Sequence, residues 1–201
     1  MYIARVLYPV EVLGPGKRIG IWMSGCAHMC KGCSNPELWR QHEKHNISMG
    51  NMGKLIESIC SKYDVDGFTL TGGDPFYQPE ALKELLPYLY IVQKDILVYT
   101  GYEYGFIKAK YGDLLKYIAV LIDGKYEEEK NKGAVLRGSD NQNIYYLNEE
   151  YRTKYQAYLE QKTSKIQNFH TADGVISVGI HLPGYEERLK ELVSRKGLEE
   201  V

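Results

Sequence analysis

The chain carries almost no net charge: 25 lysines and arginines face 26 aspartates and glutamates, a formal balance of -1 over 201 residues. That balance leaves no basic field to hold a nucleic-acid backbone, and the lysines are scattered among acids. Long hydrophobic runs are also missing. No stretch approaches the roughly 18 apolar residues that cross a bilayer. The opening segment, Met1 to Arg18, breaks its apolar residues with charges and with Pro9 and Pro15, unlike a secretory leader. Cysteine is scarce, and its four copies are uneven: Cys26, Cys30 and Cys33 lie together and Cys60 stands alone. Such spacing makes a poor disulfide framework and suits a metal site in a reducing compartment, so the expected location is cytoplasmic.

What is present is an ordinary globular composition, 44% hydrophobic and 25% charged, enough for one domain with a buried core. Tyrosine is frequent at 18 residues, densest between Tyr145 and Tyr158. Such side chains fill cores and amphipathic surfaces, with a partner-binding surface as the alternative. Runs at Ile19 to Met23, Gly67 to Leu70, Ile96 to Tyr99 and Ala119 to Ile122 read as strands. Between them, helical spacing appears from Asn35-Pro36-Glu37 into Trp39, over Met52 to Tyr63, over Pro79 to Leu89, and more weakly over Tyr102 to Lys116, which Gly105 and Gly112 interrupt.

This alternation predicts an α/β fold with a parallel sheet, and the length favours a partial β/α barrel over a closed one, which needs about 250 residues. After Asn148 the pattern changes. A charged, tyrosine-rich stretch from Glu149 to Lys165 reads as a solvated helix, followed by a β-like segment from Gly174 to Ile180 and a terminal helix from Tyr185 to Lys196. The expected organisation is a core over 1–147 and a C-terminal helical extension over 148–201, packed on the same domain.

Cys26, Cys30 and Cys33 place three thiols on one loop directly after a predicted strand. Thiolates are the usual ligands of a [4Fe-4S] cluster, and three of them leave one iron open for a small molecule. A structural zinc completed by His28 or Cys60 is the alternative, although zinc ligands more often come in two separated pairs. Cys60, beside Ile56 and Ile59, reads as a small buried hydrophobe. Gly72-Gly73-Asp74-Pro75 follows the second predicted strand, at the end where α/β sheets bind ligands. By itself that tetrapeptide is more often a plain strand-to-helix turn.

The Cys-x-x-x-Cys-x-x-Cys spacing resembles the signature of the radical S-adenosylmethionine (SAM) superfamily. Further segments match in order: Gly14-Pro15-Gly16-Lys17-Arg18, Trp22 to Cys26, Cys33 to Trp39, Thr71 to Pro75, Val98 to Tyr102, Asp123 to Tyr126, Arg137-Gly138-Ser139 and Asn141-Gln142. Over residues 1–147 the chain is thus similar to the anaerobic (class III) ribonucleoside-triphosphate reductase activating proteins. The resemblance implies that SAM binds the open iron, that one electron from the reduced cluster breaks a carbon-sulfur bond, and that the resulting 5'-deoxyadenosyl radical takes a hydrogen atom from a glycine of the reductase. It implies no separate acid, base or nucleophile.

By the same resemblance Cys26, Cys30 and Cys33 are the metal ligands, and Gly32, Cys33, Ser34, Gly72, Gly73 and Asp74 form the SAM contacts. Asp123, Lys125 and Arg137 are candidates for the SAM carboxylate or ribose, or else members of a solvated loop. The implied partners are the reductase and an electron donor such as flavodoxin or ferredoxin. Two departures stand out: Gly32, where many radical SAM proteins carry an aromatic residue, and a tail longer than the compact activators need. Two other readings stay open, a radical SAM enzyme acting on another glycyl radical enzyme or on a small molecule, and a zinc-stabilised interaction protein.

Overall fold

In the computed structural model, residues 1–160, 165–171 and 174–195 are described. A six-stranded sheet runs in the order β1 (Ile3–Val10), β2 (Arg18–Met23), β3 (Gly67–Gly72), β4 (Ile96–Tyr99), β5 (Val120–Asp123) and β6 (Asn143–Tyr146). β2 to β5 pair in parallel, and β1 and β6 flank them antiparallel. The fold is mixed α/β, with α1 (Met49–Cys60), α2 (Pro79–Val92) and α3 (Tyr104–Tyr111) supplying the crossovers.

The four strands expected from sequence are all present, β4 with the bounds expected and the other three lengthened or shifted by one or two residues. β1 and β6 were not expected. β1 is half-exposed along most of its length and shows no clean alternation, and β6 spans four residues without a fully buried one. The helix expected after Asn35 is a single 3₁₀ turn, Pro36–Leu38, and the weak candidate from Tyr102 breaks at Gly112 into α3 and a 3₁₀ stretch.

Side chains alternate across the sheet, so each strand feeds two cores. On one face Ile19, Ile21, Phe68, Leu70, Ile96 and Val98 meet Met52 and Ile56 of α1 and Leu82, Leu86 and Leu89 of α2. Each such fully buried side chain contributes about 1.5–3 kcal/mol over exposure. Cys60 packs partly buried against this core, in line with its reading as a hydrophobe.

The opposite face is covered by residues after 147. α4 (Arg152–Leu159) lays Tyr155 against Leu97, Val120 and Ile122. An antiparallel hairpin of β7 (Ile166–Thr171) and β8 (Gly174–Gly179) packs Val178 against Val10, Leu13 and Trp22. The expected solvated helix is therefore shorter than read and not wholly solvated, since Tyr155 is 0% exposed. The expectation missed this because one buried tyrosine in a charged helix gives no stripe. The β-like segment from Gly174 is β8, its partner β7 was not expected, and α5 (Tyr185–Arg195) ends the described chain; Lys196 and residues 161–164 lie outside it.

Beneath α4 sits a buried ionic cluster. Arg18 and Asp95 are both 0% exposed, and the guanidinium donates to Thr69 Oγ1 at 2.8 Å, to the Phe68 and Asp95 carbonyls and to Asp95 Oδ1 at 3.1 Å. Tyr155 Oη donates to the same carboxylate at 2.7 Å, and Lys154 Nζ lies 2.7 Å from its other oxygen. Gly67 fits this crowding, because a Cβ there would lie 2.5 Å from the Asp95 carbonyl oxygen. Among the described residues no helix is long and apolar enough to cross a membrane.

Candidate iron-sulfur site

The carboxyl ends of β2, β3, β4 and β5 open onto one cleft, bordered by Cys26, Cys30 and Cys33 and by Gly72, Gly73, Asp74, Thr100, Gly101 and Gly124. The cysteine loop leaves β2 and folds back on itself. Gly25 and Cys26 donate backbone hydrogen bonds to the Leu38 and Trp39 carbonyls at 2.8 and 3.0 Å. Gly25 adopts φ +108°, and a Cβ on it would strike the Tyr77 ring at 2.5 Å.

All four cysteines are free thiols, with Cys26 buried and Cys30 and Cys33 half-buried. Backbone N–H groups point at the sulfurs: His28 at Cys26 Sγ and Asn35 at Cys33 Sγ, both at 3.4 Å. Burial pushes the Cys26 thiol up, against the opposing pull of the His28 and Met29 amides. Burial likewise raises Cys30, partly offset by the Tyr126 amide.

Among the described residues no three His, Cys, Asp or Glu side chains converge on a single ion position. A tetrahedral zinc draws its ligands to one centre, whereas a four-iron cluster takes one thiolate at each of several corners. Three thiols bordering one cleft, with amides directed at the Cys26 and Cys33 sulfurs, fit the cluster. Two buried donors of residues that border the same cleft, Trp39 Nε1 and Tyr99 Oη, have no hydrogen-bond partner among the described residues, as expected of a cavity shaped for a polar ligand.

The turn after β3 is tightly built into the cysteine loop. Gly73 N–H donates to the Met23 carbonyl at 2.7 Å and Asp74 N–H to the Gly25 carbonyl at 2.8 Å. A Cβ on Gly73 would stand 2.3 Å from the Gly25 oxygen. The glycines thus allow two chain segments to touch, a role distinct from exposing amides to a ligand. Gly73→Ala should cost about 1–3 kcal/mol by overpacking and lower iron retention after anaerobic desalting. Thermal unfolding beside iron analysis measures both, and an unchanged melting point would contradict the contact.

Asp74, 1% exposed, uses its carboxylate inside the protein. It accepts from Phe76 N at 2.9 Å, from Thr100 Oγ1 at 3.1 Å and from Gly101 N at 2.8 Å, and His28 Nε2 lies 3.1 Å from Oδ2. His28 also stands edge-on to Tyr102 at 4.4 Å, and Gly101 leaves room for its ring. One carboxylate therefore joins the cysteine loop to the turns after β3 and β4. Sequence reasoning missed this function of His28, weighed there only as a zinc ligand, and of Thr100, whose only signal was its place in a matched segment.

Of the other expected residues, Cys33 and Ser34 border the cleft, while Gly32 turns outward with φ +70° and packs on Glu128. Asp123, Lys125 and Arg137 do not border it. Asp123 caps neighbouring backbone, accepting from Tyr104 N and Asn143 N, and Arg137 donates to the Asp140 and Gln142 carbonyls. Tyr126, Gly138 and Gln142 line the cleft in their place. The Gln142 amide explains the spacing of the late motif, bonding the Gly124 carbonyl at 2.8 Å and Gly138 N at 2.7 Å.

Three thiols at the carboxyl ends of parallel strands define an iron-sulfur protein, and a family model described as a 4Fe-4S single cluster domain matches residues 12–145. Three curated relatives carry the name anaerobic ribonucleoside-triphosphate reductase-activating protein. The one from Enterobacteria phage T4 is 37% identical over 69% of this chain and 90% of its own length. The relative from Vibrio cholerae serotype O1 is 36% identical over 69% and 94%, and that from Escherichia coli K12 is 32% identical over 70% and 96%. The chain belongs to this family of reductase-activating proteins.

Proposed function

We propose that the chain is a radical SAM enzyme that activates an anaerobic ribonucleoside-triphosphate reductase by creating a glycyl radical on it. The observation that carries the proposal is the shared cleft: three free thiols and the Gly72-Gly73-Asp74 turn border one cavity in a member of the activating-protein family. With cluster and SAM bound between Cys26, Cys30, Cys33 and the Gly72-Gly73-Asp74 turn, the site would supply one-electron reductive cleavage of SAM, the electron coming from a flavodoxin or ferredoxin, and with it the means to take a hydrogen atom from glycine.

The chain's own part is to hold and orient. Cys26, Cys30 and Cys33 hold three irons as thiolates, and the amides of His28 and Asn35 stabilise the charge on the sulfurs. Since Gly73 and Asp74 spend their N–H groups on the Met23 and Gly25 carbonyls, and the Asp74 carbonyl accepts from Tyr77 N, the Gly73 carbonyl is what this turn offers to an ammonium group. Ser34 and the unpartnered Trp39 Nε1 and Tyr99 Oη are available for the other polar groups of the ligand. Asp74 acts as a positioning residue through His28, Thr100 and Gly101. We read residues 1–147 as the catalytic core, a partial barrel built on the parallel strands, and 148–201 as an extension on the same domain in a cytoplasmic protein.

Anaerobic incubation with the reductase, dithionite and SAM tests the proposal. A glycine-centred radical on the reductase, seen by electron paramagnetic resonance and dependent on SAM, is the expected result. SAM cleavage without a protein radical would overturn the assignment of the partner and favour a small-molecule substrate.

A further inference from the structure

The β7–β8 hairpin lies beyond residue 145, where the family-model match ends, yet it reaches the cleft that holds the cysteines. Consecutive residues from Ser177 to His181 border that cleft. Alternation puts Ile176 and Val178 on the face turned toward Trp22 and Leu13, where Val178 is 3% exposed, and Ile180, just past the end of β8, packs on the same cluster.

The hairpin is pinned at two ends by contacts outside the cleft. At one, the Gln167 side chain accepts from Glu11 N at 3.0 Å and donates to the Pro9 carbonyl at 2.7 Å. At the other, Asn131 Nδ2 donates to the His181 carbonyl at 2.7 Å. The segment thus runs from the β1 edge to the loop after β5 and is fixed on both.

This wall gives the cleft two unlike halves. The part near Cys26, Asp74 and Thr100 is polar; the part bordered by Leu13, Trp22, Tyr99, Val178 and Ile180, which pack on one another as a single surface, is apolar. A ligand with a charged, chelating end and a flat, weakly polar end matches that division. We propose that the hairpin is a ligand-binding element, its Val178–Ile180 stretch packing against the nucleoside portion of bound SAM and slowing its release. The proposal rests on the reading of the cleft as a SAM site.

Both tryptophans of the chain, Trp22 and Trp39, border the cleft, so ligand binding is read from their fluorescence without any turnover. Cluster-loaded wild-type protein, Ile180→Ser and Asn131→Asp are titrated with SAM and with S-adenosylhomocysteine, and release is followed by stopped flow. Ile180 is half-buried and Asn131 does not border the cleft, but Asn131 Nδ2 also donates to Tyr126 Oη at 3.1 Å. Tyr126→Phe, which removes that contact and leaves the hairpin pinned, is therefore the control and should release SAM at the wild-type rate. Ile180→Ser should weaken binding about tenfold through lost apolar contact. Asn131→Asp, which sets a carboxylate against the His181 carbonyl, should speed release by about threefold or more at unchanged iron content. Wild-type affinity and release rate in both variants would overturn the hairpin proposal alone. Failure of the wild-type protein to bind either ligand would overturn the SAM reading with it.

Discussion

Alanine at Cys26, Cys30 or Cys33 should abolish the cluster: after anaerobic reconstitution, iron should fall from about four atoms per chain to below one, and reductase activation by at least about a hundredfold. The size of the effect follows from the ligand count. With three thiols on the loop and Cys60 packed elsewhere against the helix-side core, no fourth cysteine can substitute for a missing one. Cys30→Ala and Cys33→Ala remove half-buried loop side chains, so the far-ultraviolet dichroism should match that of the parent. Cys60→Ala is the control and should keep its iron. Equal iron in Cys30→Ala and the wild type would refute the ligand assignment.

Asp95→Ala should produce the largest loss of stability, about 3–5 kcal/mol, because it leaves the Arg18 guanidinium buried without its counter-charge. For a chain of this size that corresponds to a fall in melting temperature of roughly 6–20 °C. Burial alone would push the Asp95 carboxyl up, but the Arg18 charge and the hydrogen bonds from Arg18, Lys154 and Tyr155 outweigh it and hold the group below the usual carboxylate range.

A carboxyl depressed in the folded state stabilises the fold above its unfolded value, near 3.9, and loses that contribution as pH falls through the folded value. The difference between wild type and variant should therefore be full at pH 7 and shrink on acidification, as thermal unfolding over a pH series would show. A pH-independent difference would mean that packing, and not the charge, is what Asp95 contributes.

The sequence carried the chemistry further than the architecture. Cys26, Cys30 and Cys33, the Gly72-Gly73-Asp74 turn and the four parallel strands were all legible, because each rests on residues close together in the chain or on a local period. Legibility ended where a role depends on a distant partner. Asp74 reads as a ligand contact through the backbone of its turn, and the sequence does not show that its carboxylate also ties His28 to Thr100 and Gly101. Arg18 read as one residue of a matched segment, and its five hydrogen bonds to residues as far away as Asp95 make it the ionic centre beneath α4.

By itself the sequence singled out three thiols on one loop as candidate cluster ligands and predicted that alternating strands and helices bring them to one edge of a parallel sheet, where they border one cleft. The tertiary structure alone decided what encloses them. Tyr155 reaches the sheet from a stretch whose local pattern predicts a solvated helix, and Val178 from a β-like segment whose pattern names neither its partner strand nor the surface it covers. Their burial depends on complementary surfaces on strands up to about 170 residues away in sequence, and no local period records a contact of that range.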